Sequence, residues 1–145
     1  MWSQYNAFYE TAIPEAVTRT TWERLIEARS MHGLIAEEAG SGALLGFANY
    51  VIHPYTWSER QACYLEDLFV RPAARGRGVG RALIEWLGGL ALQHGFDRLY
   101  WMTREGNAAA RRLYDRLGER DDFIRYEMKL ANGSLIDGKD TKRQL

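Results

Sequence analysis

The chain has 145 residues, enough for one domain with a real core and too few for two comfortable ones. Its 19 basic and 19 acidic residues cancel, so no global positive field is available to recruit nucleic acid. No apolar run is long enough to span a bilayer, and no charged-then-apolar leader opens the chain, so no membrane partner is expected. The lone Cys63 cannot form an internal disulfide, which makes a reducing cytoplasm the economical expectation. His32, His53 and His94 lie far apart and match no zinc-ligand spacing, so no metal site is expected.

In chain order, Trp2, Tyr5, Phe8 and Tyr9 recur at three- and four-residue spacing, and Met1 to Ile13 reads as a short amphipathic helix ended by Pro14. Thr20 with Glu23 is a capping box, predicting a second helix through Ser30 that buries Trp22, Leu25 and Ile26. Gly33–Glu38 and Ala43–Pro54 read as strands around the turn Gly40-Ser41-Gly42. The second strand carries Phe47, Asn49 and His53 on one face. Tyr64–Val70 is a short apolar run with Glu66 and Asp67 inside it, suited to a mostly buried central strand. From Arg81 the residues Leu83, Ile84, Leu87, Leu90 and Ala91 recur at helical spacing until Gly95. Arg98–Thr103 is a further strand. Asn107 is placed to cap a helix whose inner face is Ala110, Leu113, Tyr114 and Leu117, with Gly118 as its stop. Phe123–Leu130 is predicted as a last strand. Residues 1–130 form the expected domain, and Ala131–Leu145 is expected to be a polar, mobile tail. Strands alternating with helices around a buried strand predict an α/β sandwich.

The most informative stretch is the loop Arg75-Gly76-Arg77-Gly78-Val79-Gly80-Arg81, which follows a strand and opens a helix. Such a loop offers unpaired N–H groups and a positive dipole end, a place for a phosphate. It is not a P-loop, because Arg81-Ala82 stands where Lys-Ser/Thr is needed. It is not a dinucleotide fingerprint either, because Arg81 replaces the third glycine. Arg75, Gly78 and Gly80 instead resemble the Gln/Arg-x-x-Gly-x-Gly/Ala pyrophosphate loop of the GNAT superfamily of N-acetyltransferases. The preceding Leu65-Glu66-Asp67-Leu68-Phe69-Val70 is similar to the diamine (spermidine/spermine) and thialysine N-acetyltransferase branch. Asn107-x-x-Ala110-x-x-Leu113-Tyr114-x-x-x-Gly118 resembles the second signature of the superfamily, and the likeness runs from about Leu34 to Leu130. The resemblance implies a GNAT fold: a mixed central sheet flanked by helices, with central strands splayed around acetyl-CoA. Members of the superfamily usually begin with a strand before the first helix, whereas this chain begins inside what reads as that helix, so the expectation is either that the first strand is missing or that an upstream start is not included.

The same resemblance implies roles. Arg75 to Arg81, with Gly76, Arg77, Gly78, Val79 and Gly80 between them, would bind the CoA pyrophosphate through backbone N–H groups, with Arg75, Arg77 or Arg81 adding charge. Leu68, Phe69 and Val70 would line the pantetheine arm, opposite Tyr100-Trp101-Met102. A strand N–H would polarise the thioester carbonyl. Tyr114 would be the general acid for the CoA thiolate. Asn107 would cap its helix, contact the cofactor, or both, beside Ala110. Glu66 would bind the substrate ammonium or accept its proton, and Asp67 would anchor structure. Trp2, Tyr5, Tyr9, Tyr50, Tyr55 and Trp57 could supply walls for an acceptor pocket.

The reading is an acetyl-CoA-dependent transferase acting on a primary amine of a small molecule, by direct attack in a ternary complex and as a homodimer. Its rivals are a protein or peptide acetyltransferase, which needs an open groove, and a CoA-binding sensor without turnover.

Overall fold

A computed structural model of the chain describes residues 1–128, 130–131 and 134–135. Two helices come first, α1 (Trp2–Phe8) and α2 (Glu15–Glu27). The strands β1 (Met31–Glu37), β2 (Leu44–Pro54) and β3 (Gln61–Val70) follow as an antiparallel meander. A 3-10 turn, Pro72–Ala74, leads into α3 (Val79–Gln93), which carries the chain back to β4 (Arg98–Trp101), parallel to β3. The sheet order is therefore β1-β2-β3-β4, with the single parallel pair at its end. Helix α4 (Ala108–Tyr114) closes the compact part. A two-residue ladder, β5 (Leu130–Ala131) with β6 (Ser134–Leu135), lies beyond it.

The two faces of the sheet are filled differently. On one, α3 sets Val79, Leu83, Ile84 and Leu87 against Ala48, Tyr50, Cys63 and Leu65, as its helical spacing requires. Leu87 and Cys63 are fully buried, and this is the core of the molecule. On the other face α1 lays Trp2 over Phe47 and Tyr5 over Phe47 and Phe69, with ring centroids between 5.7 and 6.3 Å apart. Helix α2 is tied to α1 by the Trp2 indole Nε1, which donates to Thr18 Oγ1 at 3.2 Å. Gly46 in β2 has no room for a side chain, since a Cβ there would stand 2.5 Å from the Phe69 carbonyl oxygen.

Several expectations change. Helix α1 stops at Phe8, well before Pro14, and Pro14 instead precedes the first turn of α2, where its fixed φ suits a helix start. Thr20 does not cap a helix: it lies inside α2, and its Oγ1 donates back to the Ala16 carbonyl at 3.1 Å. Trp22 and Ile26 are not buried but 60% and 66% exposed, because α2 touches only the β1 edge of the sheet. The strand expected over Phe123–Leu130 does not form over 123–128: residues 121–128 take no regular structure and their apolar side chains lie in solvent, while Leu130 enters the short β5 ladder. Apart from its β5 and β6 positions, the expected tail lies outside the described residues. Among the described residues no helix is long and apolar enough to cross a membrane, and no group of three metal-ligating side chains assembles.

Candidate active site

The glycine loop has the geometry that its residues suggested. Gly76 and Gly78 take φ of +76° and +82°, which a side chain would strain, and Gly78 is the N-cap of α3. The first bond inside the helix runs from Ala82 N–H to Gly78 O at 2.9 Å. No side chain caps this end and no acidic residue sits in its first turn, so the N–H groups of the turn before Ala82 point out of the helix toward an incoming anion. The three arginines are engaged only loosely. Arg75 Nε donates to the Val70 carbonyl at 3.2 Å, Arg77 pairs with Glu38 at 2.6 Å, and Arg81 pairs with Glu85 at 2.7 Å. Arg77 lies beside Glu38 and holds that carboxyl below its ordinary range. Both ion pairs are exposed and screened by solvent, so a pyrophosphate could compete for the guanidinium groups.

Strand β3 changes character at Glu66. Asn49 faces Asp67 across the β2–β3 ladder and Tyr50 faces Leu65, so Glu66 is an extra residue, a bulge with no partner opposite. The β3–β4 ladder ends at the same level, with Leu65 against Trp101, while β3 runs on to Val70. Among the described residues no strand therefore lies beside the main chain of residues 66–70 on the β4 side. Leu68 and Val70 pack toward the α3 core and Phe69 toward α1, which leaves backbone rather than side chain to face the gap.

Tyr114 stands at the end of α4, against Trp101 of β4. Asn107 fixes its helix, accepting from Ala110 N–H at 3.4 Å through Oδ1 and donating to Thr103 Oγ1 at 3.1 Å. The Tyr114 ring meets the Trp101 indole edge-on, with centroids 5.5 Å apart. Burial first, and nearby Tyr9 second, push the Tyr114 phenol up to about 12, so it keeps its proton across the neutral range. Tyr9 in turn lies under the Arg104 guanidinium, 5.1 Å from its ring centroid.

The two carboxylates have separate surroundings. Asp67 is clasped on both oxygens: Tyr5 Oη donates to Oδ1 at 2.5 Å and Asn49 Nδ2 to Oδ2 at 3.0 Å. It pins α1 to the sheet. The Tyr5 phenol is pushed far up by burial and by this acceptor. Glu66 makes no ion pair among the described residues. Desolvation first and the Asp67 charge second raise its carboxyl above the ordinary range, partly offset by Arg125. Around it Tyr64 and Tyr100 pack with centroids 5.0 Å apart, and Tyr100 Oη lies 2.9 Å from His53 Nε2. His53 Nδ1 is 2.7 Å from the Pro54 carbonyl and must donate to it, so in the neutral ring Nε2 accepts from Tyr100.

The expected aromatic wall divides. Tyr50 belongs to the α3 core and Trp57 is exposed, while Tyr5 and Tyr9 reach the site. The Tyr5–Asp67–Asn49 clasp and the Tyr100–His53 pair escaped the sequence reading. Their members are up to 62 positions apart, and the only sequence signal was a strand carboxylate that needed partners.

An uncapped helix start beside a bulged strand, parted from its neighbour in a mixed sheet flanked by helices, is the arrangement of an acetyltransferase-type fold. Sequence comparison agrees: residues 1–118 match the Acetyltransferase (GNAT) family, and the chain belongs to it. The D-amino-acid N-acetyltransferase HPA3 of Saccharomyces cerevisiae is 34% identical over 128 residues, covering 88% of this chain and 80% of that one. The thialysine N-epsilon-acetyltransferase of Bos taurus is 33% identical over 96 residues, 62% of this chain and 56% of that one. The solved structure of a probable acetyltransferase superposes with a TM-score of 0.79 at 22% identity, covering 89% of this chain and 87% of its own, which supports the fold alone. The chain is thus a GNAT N-acetyltransferase, and acetyl-CoA is the cosubstrate of that family.

Proposed function

We propose that this enzyme moves acetyl from acetyl-CoA to the primary amine of a small, amino-acid-like or diamine acceptor in a ternary complex, in a reducing cytoplasm. One observation carries the reading: the bulge at Glu66 falls where the β3–β4 ladder ends. That coincidence supports a role for the Glu66 carboxylate beside the gap between β3 and β4, where the thioester would lie in this scheme. In this scheme the α3 start and the loop from Arg75 to Arg81 hold the pyrophosphate. The free backbone of residues 66–70 takes the pantetheine amides and polarises the thioester carbonyl. The acceptor nitrogen forms the new bond to the acetyl carbon as the carbon–sulfur bond breaks. Glu66 takes the proton the nitrogen sheds, directly or through one water, and Tyr114 gives a proton to the departing thiolate. The amino-acid-like acceptor is supported by the two relatives named for D-amino acids and thialysine. The phenols and carboxylate of the acceptor side suit an ammonium group.

The test is thiol release from acetyl-CoA with a panel of D- and L-amino acids, thialysine, polyamines, aminoglycosides and short peptides. Turnover with one small-amine class that drops in Glu66→Gln supports the reading. As pH falls through the raised Glu66 value the base takes up a proton, so kcat/KM should decline from above the ordinary carboxylate range, and Glu66→Gln should lose that limb. Turnover only with peptides would move the acceptor to protein. Tight CoA binding with no turnover at all would leave a sensor.

A further inference from the structure

His53 of β2, Tyr64 and Glu66 of β3 and Tyr100 of β4 share the face of the sheet opposite α3. Their strand neighbours Ile52, Leu65, Leu99 and Trp101 belong to the α3 core, so alternation turns these four the other way. Tyr64 and Tyr100 stand side by side across the parallel ladder, with ring centroids 5.0 Å apart. Burial pushes both phenols up and the Glu66 charge adds to it at each, while Arg125 acts against it at Tyr64 and Arg98 at Tyr100. Both therefore keep their protons in the neutral range, and the carboxylate stands near both. Tyr100 is 37% exposed, so water could satisfy its hydroxyl in any direction. The protein fixes that direction instead. The Pro54 carbonyl, 2.7 Å from His53 Nδ1, holds the proton of the neutral ring there and leaves Nε2, 2.9 Å from Tyr100 Oη, as an acceptor. A phenol has one O–H, and Tyr100 gives it to His53. Only oxygen lone pairs remain for the site.

We propose that Tyr100 binds the acceptor amine, its oxygen taking one N–H of the nitrogen beside Glu66, and that His53 is the positioning residue that gives the Tyr100 hydroxyl this polarity. The inference rests on the reading of the chain as a small-amine acetyltransferase and names how that acceptor is chosen. An arriving ammonium group carries three N–H bonds and no lone pair. It suits a site that offers acceptors only, the Glu66 carboxylate and the Tyr100 oxygen. Two fixed acceptors hold the nitrogen against rotation, which one carboxylate alone would not do. The Tyr64 and Tyr100 rings add π-faces that favour a cation. An alcohol brings a single O–H and can satisfy only one of the two acceptors, so the same pair selects nitrogen over oxygen. The polarity comes from the sheet rather than from the substrate, because the carbonyl that orients His53 is the end of β2.

The test uses the full chain and the small amine that it acetylates best, with acetyl-CoA affinity followed by calorimetry. Tyr100→Phe should raise the KM for the amine roughly 10- to 100-fold, the range for a lost hydrogen bond to a charged group, and leave acetyl-CoA affinity unchanged. The decisive pair is at His53. His53→Lys supplies only donors, turns the Tyr100 O–H toward the amine, and should match the Tyr100→Phe loss. His53→Gln restores an acceptor for that O–H and should recover about tenfold of the loss. A role in packing alone would not separate glutamine from lysine, and this pair decides the matter if Tyr100→Phe fails to fold. A wild-type amine KM in a folded Tyr100→Phe, or a glutamine variant no better than the lysine one, would overturn this inference and leave the functional reading standing. No turnover with any small amine would overturn both.

Discussion

The two faces of the sheet illustrate two ways of holding a structure together. On the α3 side, Leu83, Ile84 and Leu87 fill a continuous apolar layer over Ala48, Cys63 and Leu65, and the glycine loop is rigid because it opens that same helix. On the other side α1 and α2 bury no residue completely. They are held by a few directed contacts: the Trp2 and Tyr5 rings on Phe47 and Phe69, one indole bond, and the Asp67 clasp. A packed layer is tolerant because many weak contacts share the load. A clasp is specific, and it fails when one atom is removed. The glycine loop therefore rides on the firm face, while the opposite face, which the proposed scheme gives to the acceptor, is roofed by helices held by few contacts.

Four substitutions or measurements probe that contrast. Gly78→Asp should have the largest effect, abolishing CoA binding in calorimetry while leaving the fold nearly intact. Aspartate tolerates the left-handed conformation better than most residues, and its carboxylate would cap the free N–H groups and repel the pyrophosphate. Tyr114→Phe should lower kcat by about a hundredfold with CoA affinity unchanged, as expected for loss of a general acid. An unchanged kcat would assign the proton to water or another group. Tyr5→Phe should cost about 1–2 kcal/mol by thermal melting, because it strips one donor from a half-buried carboxylate. Its KM for the amine should rise more than its affinity for CoA falls. An equal loss on both sides would show that the two faces are mechanically coupled. The smallest expected effect is none: the Cys63 thiol, pushed up to about 11 by burial in the α3 core, should resist alkylation at pH 8 until the protein is unfolded.

The sequence was most readable where local pattern and tertiary packing agree. The run Leu83, Ile84, Leu87, Ala91 predicted the face that α3 buries, and Asn107 was recognisable as a cap because a capping side chain bonds only three residues away. The same local logic failed for α2. Thr20 and Glu23 match a capping box, but a threonine inside a helix can return its hydroxyl to the preceding turn, and Thr20 does so. Trp22 and Ile26 follow helical spacing, yet spacing says which residues share a face and not whether anything covers it.

What the sequence determined by itself was the family, the order of the elements as far as α4, and the loop whose glycines reach positive φ ahead of α3. These features are local: each depends on backbone conformation or periodicity within about a dozen residues. Only the tertiary structure decided that Glu66 is the bulge, that the β3–β4 ladder stops beside it, and that Asp67 is spent on Tyr5 and Asn49. The roles of the adjacent carboxylates could not be separated by spacing, because register across a sheet is set by partners tens of residues away. The fate of Phe123–Leu130 belongs to the same class. Its apolar content predicted a strand, but apolar content does not supply a neighbouring strand to pair with, and residues 121–128 take no regular structure.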